Sequence, residues 1–159
     1  ILRKTDMKNV WNRYRSLALS HVLVKCMLAL IIVFDVLLPF ITDIYCNTLI
    51  SQTAQHIRIP LMISLYSASI PVFLSILTLD KILSNVKKDV VFDRANVRYL
   101  RHISWYCYIT GAIFFVLGFY IFLSFILAIA AVFFGLVIRV IKNLFCEAVE
   151  IKTENDLTI

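Results

Sequence analysis

Three long runs of apolar residues constrain this chain more than any other feature. They extend from Leu17 to Ile41, from Ile59 to Leu79 and from Ile103 to Ile141. A helix needs about 20 mostly apolar residues to cross the hydrocarbon core of a bilayer. The chain is also 61% hydrophobic, whereas a soluble domain is about half apolar. The sequence therefore predicts an all-α integral membrane protein and excludes a soluble globular domain.

The third apolar run is too long for a single crossing. As one helix, residues 103–141 would extend about 58 Å, roughly twice the thickness of the hydrocarbon core. The chain must therefore reverse, and we place the turn between Gly118 and Ser124. The result is a single membrane domain over 1–159 that forms a four-helix bundle. Its spans are predicted at about 17–41, 59–79, 103–120 and 124–141, with cytoplasmic segments at 1–16, 80–102 and 142–159.

Lys and Arg residues predict the orientation of these spans. Fourteen of them flank the spans on one side of the predicted topology: Arg3, Lys4, Lys8, Arg13, Arg15, Lys81, Lys87, Lys88, Arg94, Arg98, Arg101, Arg139, Lys142 and Lys152. The opposite side carries only Arg58, in a predicted connector from Thr42 to Arg58, and Lys25 lies inside the first span. Since basic residues accumulate on the cytoplasmic side, both termini are expected in the cytoplasm. The net charge of +6 then reflects topology and a lipid bilayer partner, so direct nucleic-acid binding is not expected.

One acid is predicted inside the membrane. Asp35 lies in the first span, where a carboxylate costs about 2.5–3.5 kcal/mol on insertion scales, so it should face other helices or become protonated. Pro39 has no N–H, and the carbonyl of Asp35 therefore lacks its usual helical donor.

The second span offers a stripe of small polar residues that could face this acid. Its members share one helical face and are Ser64, Ser67, Pro71, Ser75 and Thr78. We predict a polar pocket made by Asp35, Ser64 and Ser67, with hydroxyl groups added from Tyr108 and Thr110. Such a pocket could bind a proton, an ion or a ligand. Small hydroxyl residues also allow close helix packing and satisfy one buried acid.

Two cytoplasmic segments are predicted to dock on each other. The first begins with Asp93, a residue type favoured at helix N-caps, and carries Asn96, Arg98 and Arg101. The second continues the fourth span as an acidic helix, with Glu147, Glu150, Glu154 and Asp156. An acidic helix is repelled by anionic lipid. We therefore expect it to meet the basic segment and to form with it a docking face for a protein partner.

No catalytic motif is present in the sequence. It lacks a Gly-rich phosphate loop, an H-E-x-x-H and a G-x-S-x-G motif. The four cysteines form no C-x-x-C pair and have no His at metal-ligand spacing. We expect neither enzymatic activity nor a cofactor nor a metal site.

The chain resembles a bacterial family of small four-span membrane proteins of unknown function. The resemblance rests on Phe92-Asp93, Asn96-Val97-Arg98, Leu100-Arg101 and Trp105, and on the ending Glu154-Asn155-Asp156-Leu157-Thr158-Ile159 with its "DLT" box. Ser104 stands where a glycine is common in that family. The resemblance implies a bacterial cytoplasmic membrane. It also implies a neighbouring gene for a helix-turn-helix regulator of the Cro/repressor type.

Three functions remain open from the sequence. The first is a membrane regulator or sensor whose cytoplasmic face binds a protein, such as that helix-turn-helix regulator. The second is a small transporter or channel subunit that uses Asp35 and the serine stripe, and it would need a homo-oligomer to form a pore. The third is a passive assembly or immunity factor.

Overall fold

Four long α-helices form the fold in the part of the chain that this computed structural model describes. The backbone is described for residues 2–49, 55–88 and 90–157, and the side chains for 19–47, 56–88 and 90–155. The helices are α1 (Leu2–Leu49), α2 (Gln55–Lys87), α3 (Arg94–Gly118) and α4 (Leu123–Leu157). Each helix contains a segment long and apolar enough to cross a membrane.

The helices extend further than the apolar runs. The predicted connector between Thr42 and Arg58 is helical as far as Leu49 and again from Gln55, and residues 50–54 lie outside the described part. In the same way α2 continues to Lys87. Hydropathy marks where a helix enters lipid, but a helix ends only where the backbone or a neighbouring side chain stops it. The connector predicted from Thr42 to Arg58 is therefore helical in its described part.

The third apolar run reverses at residues 119–122, within the interval in which the sequence places the turn. The amide of Ile121 donates to the carbonyl of Leu117 at 2.9 Å, and the amide of Ser124 donates to the carbonyl of Ile121 at 2.9 Å. The turn presents Phe119 and Phe122 to the surroundings, with 73% and 81% of their surfaces exposed. Such apolar side chains suit the boundary of the hydrocarbon core.

Consecutive helices account for the extensive contacts among the described residues, so that α1 packs on α2, α2 on α3, and α3 on α4. Each of these pairs is antiparallel. We call the side that holds His21, the α2–α3 connection and the end of α4 the termini side, and the other side the turn side. The outer surfaces of this row of helices consist largely of exposed Leu, Ile, Val and Phe side chains, as expected for contact with lipid.

A seven-residue repeat organises the packing of α3 on α4. The buried residues of α3 occur in adjacent pairs at that interval: Asn96 and Val97, Ile103 and Ser104, Thr110 and Gly111, Leu117 and Gly118. On α4 the same interval separates Ala128, Gly135, Lys142 and Val149, of which Lys142 is half-buried and the others are buried. A heptad repeat keeps one stripe facing the partner helix over many turns. We refer to these two stripes together as the heptad interface.

Glycine allows the backbones to approach closely at this interface. A Cβ atom on Gly135 would lie 2.9 Å from Cε1 of Tyr108, and one on Gly111 would lie 2.9 Å from Cγ2 of Val132. Ser104 Oγ donates across the interface to the carbonyl of Gly135 at 2.9 Å. Small residues of this kind are the usual means by which membrane helices associate.

We expect Gly135→Leu to destabilise the protein by about 1–3 kcal/mol, the usual cost of overpacking. Ala130→Leu is the matched control, because Ala130 lies on the same helix but is exposed. Thermal inactivation in a mild detergent, followed by size-exclusion chromatography, measures both. Equal stability of the two variants would contradict the close packing at Gly135.

Candidate functional site

Asp35 forms a polar contact between α1 and α2 in the middle of the membrane-spanning region. Ser69 Oγ donates a hydrogen bond to Oδ1 of Asp35. The hydroxyl of Tyr66 donates to the backbone carbonyl of the same aspartate at 3.2 Å. Both the side chain and the main chain of Asp35 are therefore bound by one neighbouring helix.

Pro39 explains why that carbonyl needs a donor from outside. In an uninterrupted helix, the carbonyl of residue 35 accepts from the amide of residue 39, but proline has no N–H. A carbonyl without a partner in hydrocarbon costs several kcal/mol. Tyr66 supplies the missing donor, while α1 remains helical on both sides of Pro39.

A cavity of about 420 Å³ opens beside this contact and is lined by Asp35, Tyr66, Ser69, Ile70, Phe73 and Leu74. Its polar groups are one carboxylate and two hydroxyls, and the rest of the lining is apolar. This arrangement can accept a small hydrogen-bonding group. The described lining comes from α1 and α2.

The polar pocket predicted from the sequence differs from this arrangement. Asp35 bonds with Ser69 and Tyr66, whereas the prediction named Ser64 and Ser67. The reason lies in the position of α2 between two helices. By helical spacing, the stripe that runs from Ser67 to Thr78 lies on the same side of α2 as Lys81. The Nζ atom of Lys81 lies 6.0 Å from the ring centre of Tyr99 on α3. This side of α2 therefore faces α3, and Asp35 contacts the other side.

The two residues predicted from α3 lie away from Asp35. Thr110 is buried and donates to the carbonyl of Tyr106 within its own helix at 2.9 Å. Tyr108 packs against the position of Gly135 on α4. Since α2 separates α1 from α3, neither residue contributes to the cavity at Asp35.

Two further polar contacts join α1 to α2 at the ends of the spans. Arg58 pairs with Asp43 on the turn side. His21 Nδ1 lies 3.3 Å from Oδ1 of Asp80 on the termini side. Residues 21 and 43 are about 33 Å apart along a helix, so polar contacts hold α1 in register with α2 across the whole membrane.

On the termini side, Asn96 has a structural role that corrects its assignment to a partner-binding face. The side chain is fully buried. Its amide donates to the carbonyls of Val90 and Val91 at 2.9 and 2.8 Å, and its oxygen accepts from Nδ2 of Asn85 at 2.8 Å. All polar atoms of this side chain are used to fix the α2–α3 connection, so none is left for a partner.

Asp93 begins α3, as the sequence predicts. Its backbone is extended, and its carbonyl accepts from the amides of Asn96 and Val97. Its side chain makes no capping hydrogen bond. The start of α3 therefore depends on the buried amide of Asn96 more than on the predicted cap.

The structure brings the basic start of α3 and the end of α4 together. A cavity of about 600 Å³ lies between them, lined by Arg94, Val97, Arg98, Arg101, Cys146, Val149 and Glu150. The ring of Phe92 lies 5.7 Å from that of Phe145. The two segments dock through Val97 and Val149, which are buried, and their charged residues surround this apolar contact.

The outer face of the α4 end remains open to the surroundings. Leu144 and Ile151 are each 60% exposed, and Glu147, Glu150 and Glu154 are exposed as well. The side chain of Asp156 lies outside the described residues. Phe145 and Val149 face α3 instead, because Val149 continues the heptad interface and the ring of Phe145 contacts that of Phe92.

Within residues 19–47, 56–88 and 90–155, no three His, Cys, Asp or Glu side chains are grouped closely enough to hold a metal ion.

Comparison with known proteins agrees with this architecture. A family model described as "Protein of unknown function (DUF2975)" matches residues 48–159. The chain is also 30% identical over 162 residues to the "Uncharacterized membrane protein YoaS" of Bacillus subtilis (strain 168). That alignment covers 93% of this chain and 99% of the relative. No solved structure matches the chain.

Four apolar helices and a membrane-protein relative define a multi-pass protein of the bacterial membrane. The chain belongs to the DUF2975 family, whose function is unknown.

The contact between Tyr66 and Asp35 predicts a specific dependence on Pro39. Tyr66→Phe removes one interhelical hydrogen bond, which in membranes is worth about 0.6 kcal/mol on average and up to about 1.7 kcal/mol. In a Pro39→Ala background the restored amide can donate to the carbonyl of Asp35 instead. We therefore expect Tyr66→Phe to cost less stability in that background, as measured by a double-mutant cycle on unfolding in detergent.

Tyr120→Phe provides the matched control for this cycle, since Tyr120 is an exposed tyrosine in the α3–α4 turn. Strictly additive effects of Tyr66→Phe and Pro39→Ala would show that Tyr66 does not replace the missing donor.

Proposed function

We propose that this protein is a non-enzymatic membrane regulator whose termini side faces the cytoplasm and binds a protein partner there. The observation that carries the proposal is the length of α4, an unbroken helix of 35 residues from Leu123 to Leu157, which exceeds the about 20 residues that a crossing needs. From Lys142 to Leu157 this extension is about 22 Å long. It presents an exposed face on which apolar and acidic residues alternate.

The exposed face of the α4 end has the composition of a recognition surface. Leu144 and Ile151 lie seven residues apart on one stripe, with Glu147 between them, and all three are exposed. A groove or helix face of this kind accepts an amphipathic helix from a partner. Because its charge is negative, the complementary partner presents basic and apolar residues.

The resemblance to family members encoded beside a helix-turn-helix regulator supplies a candidate for that partner. A DNA-binding protein carries an excess of basic residues, which complements the acidic side of α4. We therefore propose a regulator of the Cro/repressor type as the cytoplasmic partner, held at the membrane by the end of α4.

Asp35 supplies a candidate for the sensing element. Its carboxylate accepts a hydrogen bond from Ser69 in the membrane-spanning region, where a charge is costly unless it is paired. An ion or a small ligand that competes for this carboxylate would change the contact between α1 and α2. Since consecutive helices pack on one another, a change in this contact can shift the packing that positions the termini side.

A site-specific photo-crosslinking experiment tests the proposed partner surface. We expect a photoreactive phenylalanine at Glu147 or Ile151 to capture a helix-turn-helix protein in native membranes, because both positions are exposed on the α4 end. The same group at Phe122, which is exposed on the turn side, is the control and should not capture it. Mass spectrometry of the crosslinked band identifies the protein.

A different pair of results would favour transport. If neither α4 position captures a cytoplasmic protein and liposomes show an ion flux that Asp35→Asn abolishes, the regulator proposal is wrong.

A further inference from the structure

A second cavity on the termini side is lined by cations. It measures about 270 Å³ and lies between α3 and α4, with Arg101, Ser104, Trp105, Arg139 and Lys142 around it. Arg101 and Arg139 are exposed, and Lys142 is half-buried. The five lining residues include three positive charges and no carboxylate. Among the described side chains, none of the three cations has an ion pair.

Lys142 has an unusual position for a lysine. It occupies the point of the heptad interface that Ala128, Gly135 and Val149 occupy in the other repeats, and those three residues are buried. A charge at such a position is costly unless it is paired or hydrogen-bonded. Two arginines beside it increase that cost, since like charges repel. An anion in the cavity would offset this repulsion.

The depth of the cavity indicates which anion is available. Trp105 lies about 20 Å along α3 from Gly118, and Arg139 lies about 24 Å along α4 from Leu123. With the apolar turn at one boundary of a core about 30 Å thick, the cavity lies near the other boundary. Trp105, whose surface is 55% exposed, is a residue type enriched at the headgroup level.

Ser104 holds the two walls of the cavity together. Its hydroxyl donates to the carbonyl of Gly135 at 2.9 Å, so the backbones of α3 and α4 meet immediately below the cations. The backbone positions of Arg101 on one helix and of Arg139 and Lys142 on the other are therefore set by helix packing before any ligand binds. This preorganisation lowers the conformational entropy lost when a phosphate group binds.

We propose that this cavity binds the phosphate group of an anionic phospholipid. Arg101 and Arg139 provide guanidinium groups that can bond with two phosphate oxygens at once, and Lys142 contributes a third positive charge. The acyl chains would lie along the exposed apolar surfaces of α3 and α4. Basic pockets between membrane helices are known to bind such headgroups. This site is separate from Asp35 and from the exposed face of Leu144, Glu147 and Ile151 on which the proposed partner binds.

Fluorescence quenching of Trp105 tests the proposal in the full chain. Trp11→Phe leaves Trp105 as the single tryptophan. The variant is reconstituted in vesicles of phosphatidylcholine mixed with brominated phosphatidylglycerol, and separately with brominated phosphatidylcholine. We expect stronger quenching by the anionic lipid. Arg139→Gln combined with Lys142→Gln should weaken that preference by up to about thirtyfold, since each basic residue contributes about fivefold.

Lys87→Gln combined with Lys88→Gln is the charge-matched control, because both residues are exposed on the termini side and lie outside the cavity. It should keep the preference, and so should Lys142→Arg alone, which preserves the charge. Equal loss in the Lys87/Lys88 control would show attraction by total charge alone and overturn the proposal. Loss in the charge-preserving variant would do the same by assigning the effect to packing.

Inorganic phosphate carries the same charged group as a lipid headgroup and could occupy the cavity instead. Excess inorganic phosphate should reduce the preference for phosphatidylglycerol no more than sodium chloride does at the same ionic strength. Complete displacement of the lipid by inorganic phosphate would overturn the assignment to a phospholipid.

Discussion

The heptad interface between α3 and α4 is the interaction on which the termini side depends. Glycine at 111 and 135 brings two backbones close enough for Ser104 to bond with a main-chain carbonyl across the interface. The same repeat continues beyond the membrane, where Val97 and Val149 are buried. As a result, the basic start of α3, the cationic cavity and the end of α4 belong to one packed unit, and a shift in the register of α4 would displace all three together.

The first two helices are held by a different kind of contact. Pairs involving Asp43, Asp35 and Asp80 join α1 to α2 at three depths. Apolar side chains give little preference between lipid and protein inside a bilayer, whereas hydrogen bonds and charges do. The α3–α4 pair is held mainly by close packing at glycine, with one hydrogen bond from Ser104, and the α1–α2 pair by several polar contacts that mutation can change. For this reason we propose the α1–α2 pair as the sensing element.

The sequence predicts the four helices but not all of the contacts between them. Apolar length predicts four crossings and a reversal near residues 119–122, because hydrocarbon thickness allows nothing longer. It does not show that α2 contacts neighbours on two faces, and so Ser64 and Ser67 were named where Ser69 and Tyr66 bind Asp35. Pro39 was the usable signal, since a carbonyl without a donor requires a hydroxyl from another helix. Asn96 was assigned to the surface because a polar residue that lies among arginines in the sequence is usually exposed.

The proposed partner and regulatory role both require the α4 end to lie on the cytoplasmic side of the membrane. Single-cysteine variants of a cysteine-free chain at Lys88, Glu147 and Tyr120 test this orientation with a membrane-impermeant maleimide. We expect Lys88→Cys and Glu147→Cys to react only in inside-out vesicles, and Tyr120→Cys to react in intact cells. Reaction of Lys88→Cys and Glu147→Cys from outside intact cells would contradict it.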